Sequence, residues 1–203
     1  MTQSPLSPFT GLSMGAQTGA SAGATTVTVQ VLPSAGSVAV RGKPDDGAFL
    51  SAASSALGLN LPLAVGGVAE GAQYRTLWLG PDHWLIVCPE GGGPALTERL
   101  QSAFDGLFAA AIDVSGARSS LRIAGSSAVD LLSTGCRLDL DPAVLGPGQC
   151  LQTPLGNVTA IIHHVAGDEP TYDIYVPRST AVSFWKWLEH ASQEFGLRSV
   201  TAG

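Results

Sequence analysis

The sequence predicts an α+β protein made of two similar halves, each with the element order ββαββα and a mainly antiparallel sheet. Three observations predict this class. Short runs of alternating apolar residues occur in closely spaced pairs, which is the pattern of local antiparallel hairpins. Stretches with apolar residues at i, i+3 and i+4 follow these pairs, as amphipathic helices require. The same order occurs twice in 203 residues, with a period of about 85 residues.

The first half, residues 25–108, begins with strand segments at 26–32 and 37–41, whose Pro-Ser-Ala-Gly connection predicts a hairpin. Segments 74–79 and 83–88 lie on either side of a Gly-Pro-Asp turn and predict a second hairpin.

A helix follows each of these two strand pairs. The first helix begins after Pro44-Asp45-Asp46 and ends at Gly58. Pro94 begins the second, whose apolar residues share one stripe: Leu96, Leu100, Ala103, Phe104 and Leu107.

The second half, residues 109–203, repeats this order. Strands are expected at 109–114, 119–124, 157–163 and 172–176. A helix from Ser126 to Gly135 separates the two pairs, and Gly125 before it corresponds to Gly42 before the first helix. A long helix over 179–195 closes the half, with Gly196 as its stop.

Residues 1–24 form a third segment, predicted to be an extended N-terminal arm. The segment has no charge and no helical or strand period, yet it contains four large apolar residues: Leu6, Phe9, Leu12 and Met14. We expect the arm to lie across a partner, with Phe9 as one anchor; the alternative is a loose tail.

Composition excludes several classes of protein. Apolar residues at 45% exclude a disordered chain. A net charge of −6 without a Lys/Arg cluster argues against nucleic acid as a partner. No secretory signal or uninterrupted apolar span is recognisable. Three cysteines without C-x-x-C spacing predict reduced, mostly buried thiols. We therefore expect a cytoplasmic protein that is not bound to a membrane.

The four histidines and one acidic pair are interpreted as structural. His163 and His164 are adjacent on a predicted strand, so their side chains point to opposite faces and cannot chelate one ion together. His83 lies beside a hairpin turn, and His190 is on the polar side of the last helix. Asp139 and Asp141 could share a proton in acid–base chemistry, but a solvated loop that caps the next turn is the preferred interpretation.

The remaining candidate motifs lack the spacing that their chemistry needs. Gly91 to Gly93 is not followed by G-K-[ST], so a phosphate loop is not predicted. Ser115 and Ser119 have no G-x-S-x-G frame, and the cysteines have no evident activating base. No catalytic, cofactor-binding or metal-binding residue is predicted on this chain.

Three segments, 78–89, 113–142 and 172–188, resemble the gamma subunit of heterotetrameric sarcosine oxidase in residues, order and spacing. That family is in turn similar to the folate-binding aminomethyltransferases of glycine cleavage. The shared pattern is a D-x-S strand, Asp113-Val-Ser115, followed by a G-x-x-A turn into a helix, Gly125-Ser-Ser-Ala128. The resemblance implies the aminomethyltransferase fold.

One departure from the wider family affects folate. In that family an acidic residue on the strand after a T-x-x-G turn helps to bind folate. Here Thr153-Pro-Leu-Gly156 is followed by Asn157 and an apolar strand without a carboxylate. The sequence therefore argues against a folate site on this chain.

The resemblance implies a non-catalytic structural subunit of a flavoenzyme that oxidatively demethylates sarcosine to glycine. The other products are hydrogen peroxide and either formaldehyde or 5,10-methylenetetrahydrofolate. It implies alpha, beta and delta subunits as partners, with FAD, FMN, NAD, tetrahydrofolate and zinc on those subunits and no cofactor on this chain. The low charge content independently suggests apolar surface that a partner buries.

Two alternatives remain open. The chain could be a stand-alone folate-binding, aminomethyltransferase-like module, or a scaffold that serves a different amine oxidase. Folate binding separates the first from the main hypothesis, and the enzymes encoded by neighbouring genes separate the second.

Overall fold

The computed structural model describes residues 8–9, 26–195 and 197–200. Within these ranges the strands are β1 (Val27–Val31), β2 (Gly36–Arg41), β3 (Val68–Glu70), β4 (Arg75–Gly80), β5 (His83–Cys88), β6 (Ala110–Asp113), β7 (Arg118–Ala124), β8 (Gln149–Leu155), β9 (Val158–His164), β10 (Thr171–Pro177) and β11 (Leu197–Val200). The helices are α1 (Gly47–Leu57), α2 (Gly93–Ala103), α3 (Ala128–Ser133) and α4 (Ala181–Ala191), the last flanked by the 3-10 turns Arg178–Thr180 and Ser192–Glu194.

The chain forms two compact units, each with its own sheet. The unit of residues 35–117 has a five-stranded sheet in the order β3-β4-β5-β2-β6. The unit formed by the described parts of 1–34 and 118–203 has a six-stranded sheet in the order β11-β1-β7-β10-β9-β8. Strand pairs are antiparallel except β1 with β11. The predicted α+β class with mainly antiparallel sheets is confirmed.

The two units do not coincide with the predicted halves 25–108 and 109–203. Strands β3-β4-β5-β2 and β8-β9-β10-β7 are equivalent sets, but each set is extended by the first strand of the other half. Thus β1 pairs with β7, placing Val29 opposite Ile123, and β6 pairs with β2, placing Ile112 opposite Ala39.

The predicted hairpin between β1 and β2 is therefore wrong. A turn sequence and alternating apolar residues are compatible with a hairpin, but they do not specify which strand lies alongside. β1 buries Val27 and Val29 in the core of the second unit instead.

Each repeat also has one strand more than the predicted ββαββα, giving ββαβββα, and β11 follows the second repeat. β3 has only three residues, and β8 contains Pro154 and two glutamines, so neither has a clear strand pattern. β8 is an edge strand, where a proline removes no internal ladder bond. Gly196, the predicted helix stop, lies outside the described residues.

Helices occur at all four predicted places, and the third and fourth are shorter than expected. The Asp46 carboxylate caps α1 by accepting hydrogen bonds from the backbone N–H groups of Ala48 and Phe49, at 2.9 and 3.2 Å. Gly58 ends this helix in the left-handed conformation, with φ of 69°. The buried residues of α3 are Ala128, Leu131 and Leu132, as the spacing of these apolar residues predicts.

Each unit has its own hydrophobic core. The core of the 35–117 unit surrounds Phe49 and Trp84, whose rings lie 5.7 Å apart. The core of the other unit surrounds Tyr172, Phe184 and Leu188 on β10 and α4. Among the described residues, no helix is both long enough and apolar enough to cross a membrane.

Phe9 belongs to this second core, so its predicted role as an anchor on a partner is wrong. Its side chain is only 4% exposed, and its ring packs on Trp185 at a centroid distance of 5.4 Å. Because this contact is within the chain, Phe9 has no free surface to offer. Most of the predicted arm, 1–24, lies outside the described residues.

Candidate functional site

The four histidines are on three different elements: His83 on β5, the pair His163 and His164 on β9, and His190 on α4. His163 and His164 are both buried, because both faces of this strand are covered. The Nδ1 atom of His164 lies 2.7 Å from the carbonyl oxygen of Leu145, and its ring stacks on Tyr172 at 4.6 Å. His83 is half-buried at the start of β5, and His190 is exposed on α4.

No group of three or more His, Cys, Asp or Glu side chains among the described residues is arranged to hold a metal ion. The acidic pair of the loop before β8 makes turn contacts instead. The Asp139 carboxylate accepts a hydrogen bond from the Asp141 N–H at 2.9 Å, and the Asp141 carboxylate accepts one from the Ala143 N–H at 2.8 Å. Both side chains are exposed.

The loop also closes over Tyr172. Leu140 and Leu145 are buried in the core, and the Tyr172 hydroxyl donates to the Leu140 carbonyl at 3.5 Å. Burial, and then the Asp141 carboxylate, raise the pKa of the Tyr172 hydroxyl. A raised pKa keeps this hydroxyl neutral, which suits a packing role rather than that of a base.

The D-x-S motif packs against the beginning of α2. The Asp113 carboxylate accepts a hydrogen bond from the Ser115 N–H at 2.9 Å, and Ser115 Oγ accepts one from the Ser37 N–H at 3.0 Å. A Cβ atom on Gly93 would lie 2.2 Å from Ser115 Oγ and 2.6 Å from the Asp113 carboxylate. The motif thus packs closely against Gly93 in the first turn of α2. It contacts β2 through Ser37 and includes the last residue of β6, Asp113.

The glycine of the T-x-x-G turn packs against Trp187. Gly156 has φ of 59°, and a Cβ atom there would lie 2.6 Å from the indole ring of Trp187. Its N–H donates to the Gly135 carbonyl at 3.0 Å. Asn157 follows at an exposed position, and β9 beyond it contains no carboxylate. The carboxylate expected from the wider family's pattern therefore has no counterpart on β9.

The cysteines are free thiols, two of them buried and Cys136 half-buried. Burial, and then the nearby Asp113 carboxylate, raise the pKa of the Cys88 thiol. A thiol held neutral is a poor nucleophile. Cys88 therefore serves packing in the core of its unit.

A buried ion pair joins two strands of the six-stranded sheet. The Arg122 guanidinium donates to the two carboxylate oxygens of Asp173 at 2.7 and 2.9 Å. The Asp173 side chain is 1% exposed, and the two residues face each other across β7 and β10. Sequence analysis did not identify this pair, although an aspartate inside the apolar run of β10 is a signal that a cation must lie opposite.

An exposed apolar surface is present on the 35–117 unit. Phe108 is 83% exposed and Ile112 is 59% exposed, at the edge formed by β6. The Lys43 ammonium lies 5.7 Å from the centre of the Phe108 ring. We call Phe108, Ala110, Ile112 and Lys43 the Phe108 surface. Exposed apolar surface of this kind is suited to binding rather than to internal packing.

Comparison with known proteins shows which family this chain is similar to. Residues 41–194 match the model of the sarcosine oxidase, gamma subunit family. The chain is 34% identical over 199 residues to the sarcosine oxidase subunit gamma of Arthrobacter sp., covering 96% of this chain and 93% of that one. It is 30% identical to the subunit gamma of Corynebacterium sp. strain U-96, covering 98% and 95%.

Solved structures agree with these matches. The heterotetrameric sarcosine oxidase from Corynebacterium sp. U-96, in complex with pyrrole 2-carboxylate, contains a chain that matches with a TM-score of 0.82 at 29% identity, covering 96% of this chain and 98% of that one. The glycine cleavage system aminomethyltransferase T from Bartonella henselae matches with a TM-score of 0.61 at 19% identity, covering 87% of this chain and 48% of that one. The second match confirms the predicted relation to the aminomethyltransferase fold.

Proposed function

This chain belongs to the sarcosine oxidase gamma subunit family, and from that membership we propose that it is the non-catalytic structural subunit of a heterotetrameric sarcosine oxidase. The observation that carries the proposal is the full-length match to curated gamma subunits, over 96% of this chain and 93% of the Arthrobacter protein. The enzyme would oxidise sarcosine with O2 and water to glycine, formaldehyde and hydrogen peroxide. With tetrahydrofolate as acceptor, 5,10-methylenetetrahydrofolate would replace formaldehyde.

The non-catalytic role is supported by what the polar side chains do. An oxidase subunit that acts on substrate needs an acid, base or nucleophile that solvent or substrate can reach. Here His164 contacts the Leu145 carbonyl, the Asp113 carboxylate accepts a hydrogen bond from the Ser115 N–H, and Asp173 is paired with Arg122. These groups organise the fold and leave the chemistry to other chains.

The cofactors and partners follow from the same proposal. FAD, FMN, NAD, tetrahydrofolate and zinc would be held by the alpha, beta and delta subunits, and this chain would contribute surface to the assembly. Its three cysteines are free thiols, as in reducing compartments, and we place the enzyme in the cytoplasm.

We expect the isolated chain to be colourless and not to oxidise sarcosine, because no flavin or catalytic group belongs to it in this proposal. Peroxide release from sarcosine and the visible absorbance of the purified chain measure this. In the assembled enzyme, single replacement of His83, His163, His164 or His190 should leave turnover within a few-fold. A loss of several orders of magnitude for one of them, with the complex intact, would show that this chain is catalytic.

A folate-binding module is the second candidate, favoured by the fold shared with the aminomethyltransferase. Titration of folinic acid into the isolated chain distinguishes the two. The Trp187-filled turn and the missing carboxylate predict no saturable binding. Tight binding would favour the folate module.

A further inference from the structure

The Phe108 surface differs from the other exposed apolar residues of the chain. Single exposed aliphatic residues are ordinary on protein surfaces. The residues that the structure describes include five others: Leu63, Val65, Leu138, Val144 and Val182. Phe108 is a large aromatic at 83% exposure in the bend that leads into β6, and Ala110 and Ile112 on β6 are also exposed.

The outward position of Phe108 is fixed by its neighbours. Leu107 and Ala109 pack against the core of the unit, and Ala111 is buried in it. Ala110 and Ile112 alternate with Ala111 along β6 and face outward. Phe108 projects outward from the bend before β6, where the Ala109 N–H donates to the Leu107 carbonyl at 2.9 Å. The ring is therefore exposed between residues that pack against the core.

A concave depression of about 400 Å³ lies beside the ring. Phe108 and Ala110 line it together with Arg41, Lys43 and Asp82. The Arg41 guanidinium is already paired with the Asp82 carboxylate at 2.8 Å. Among the described residues, Lys43 has no ion-pair partner, and its ammonium lies over the Phe108 ring.

The local charge is opposite in sign to that of the whole chain. Arg41 and Lys43 against Asp82 leave one net positive charge at the depression, whereas the chain has a net charge of −6. A binding partner complementary to the depression would place an apolar group against the Phe108 ring and a carboxylate near Lys43.

A partner would contact this surface through side chains and would not add a strand to the edge of the sheet. β6 is an edge strand, and such edges can accept a partner strand. However, the Gln101 side-chain amide donates to the Ala111 carbonyl at 2.9 Å and occupies part of that edge. The exposed side-chain face of Phe108, Ala110 and Ile112 is therefore the available contact.

We propose that the Phe108 surface docks another subunit of the sarcosine oxidase complex, through a segment that places an apolar side chain in the depression and a carboxylate against Lys43. This inference rests on the proposed function and names the surface that would perform it. In the assembled enzyme Phe108 would be buried, and a buried aromatic with a charged neighbour is a frequent centre of binding energy.

Competition during assembly tests the proposal. The wild-type chain and a variant of distinguishable mass are co-expressed at equal levels with the other three subunits, and the complex is purified through one of those subunits. We expect Phe108→Ser to be under-represented in the complex by about tenfold or more, since burial of a phenylalanine is worth that much. Lys43→Glu should be under-represented several-fold, and Lys43→Arg should compete almost equally.

Val65→Ser is the matched control, because Val65 is 78% exposed in the same unit but lies outside the depression. It should compete almost equally with the wild type. The thermal unfolding of each isolated variant should stay close to that of the wild type, because the replaced side chains are exposed.

Three results would overturn the inference. Equal incorporation of Phe108→Ser and Lys43→Glu would remove this surface from the interface while leaving the proposed function intact. A wild-type chain that dimerises alone, and a Phe108→Ser chain that does not, would make the occupant a second copy. A wild-type chain that never enters the complex would defeat the proposed function and this inference with it.

Discussion

Replacing Arg122 by methionine should lower the free energy of unfolding by about 3 kcal/mol, because it removes the cation that donates two hydrogen bonds to the buried Asp173 carboxylate. The pair is bidentate, at 2.7 and 2.9 Å, and Asp173 is 1% exposed. Arg122 itself is 35% exposed, so its own charge retains part of its hydration. The cost therefore comes mainly from the carboxylate. Chemical denaturation of the isolated chain measures the change.

The double variant Arg122→Met with Asp173→Leu is the control. It removes both charges and keeps the cross-strand contact between β7 and β10, so it should recover a large part of the lost stability. If the double variant were as unstable as the sum of the two single variants, the two residues would not be coupled. The account of this pair would then be wrong.

Replacing Gly125 by alanine should be at least as damaging, at about 3–4 kcal/mol. Gly125 has φ of 129°, a conformation that residues with a Cβ atom rarely adopt. The new Cβ atom would lie 2.2 Å from the Thr26 carbonyl oxygen, which also accepts a hydrogen bond from the Ser127 N–H at 3.2 Å. Relieving the clash would move β1 or the beginning of α3, and both belong to the core unit around Tyr172.

Gly47→Ala is the matched control for this substitution. Gly47 is the first residue of α1, and a Cβ atom there meets no atom within 4 Å. This change should be neutral or slightly stabilising, since alanine favours the helix. A Gly125→Ala protein with the stability of the Gly47→Ala protein would contradict the close approach at Thr26.

Local sequence patterns predicted the elements whose boundaries depend on local chemistry. Asp46 and Gly58 mark the two ends of α1, and the Gly-Pro-Asp turn joins β4 to β5, because capping and turn formation involve residues close in sequence. The resemblance to the gamma subunit family likewise depended on contiguous segments, and the family match over 41–194 agrees with it.

The exchange of β1 and β6 between the two sheets could not be predicted in the same way. Both segments alternate correctly, but alternation defines a buried face and leaves the pairing partner undefined. Val29 lies opposite Ile123, 94 positions along the chain, and no turn residue encodes that register. The packing of Phe9 was not predicted for a related reason. The ring that it contacts, Trp185, is on α4, far from Phe9 in the sequence.

The Phe108 surface also could not be predicted from the sequence. Phe108 lies between Leu107 and Ala109 in an apolar run, and such a run suggests burial of every member. Only the fold shows that the neighbours of Phe108 face the core and that Lys43, from the segment after β2, lies over its ring.

Co-purification is the most direct test of the claim that this chain is a structural subunit of sarcosine oxidase. The full chain, with a terminal tag, is co-expressed with the subunits encoded beside it, and the purified material is analysed for its proteins, flavin absorbance and sarcosine-dependent peroxide release. We predict that three other subunits, flavin absorbance and oxidase activity travel with this chain in constant ratio. A chain that purifies alone and colourless, while the other subunits assemble into a fully active oxidase without it, would contradict the claim.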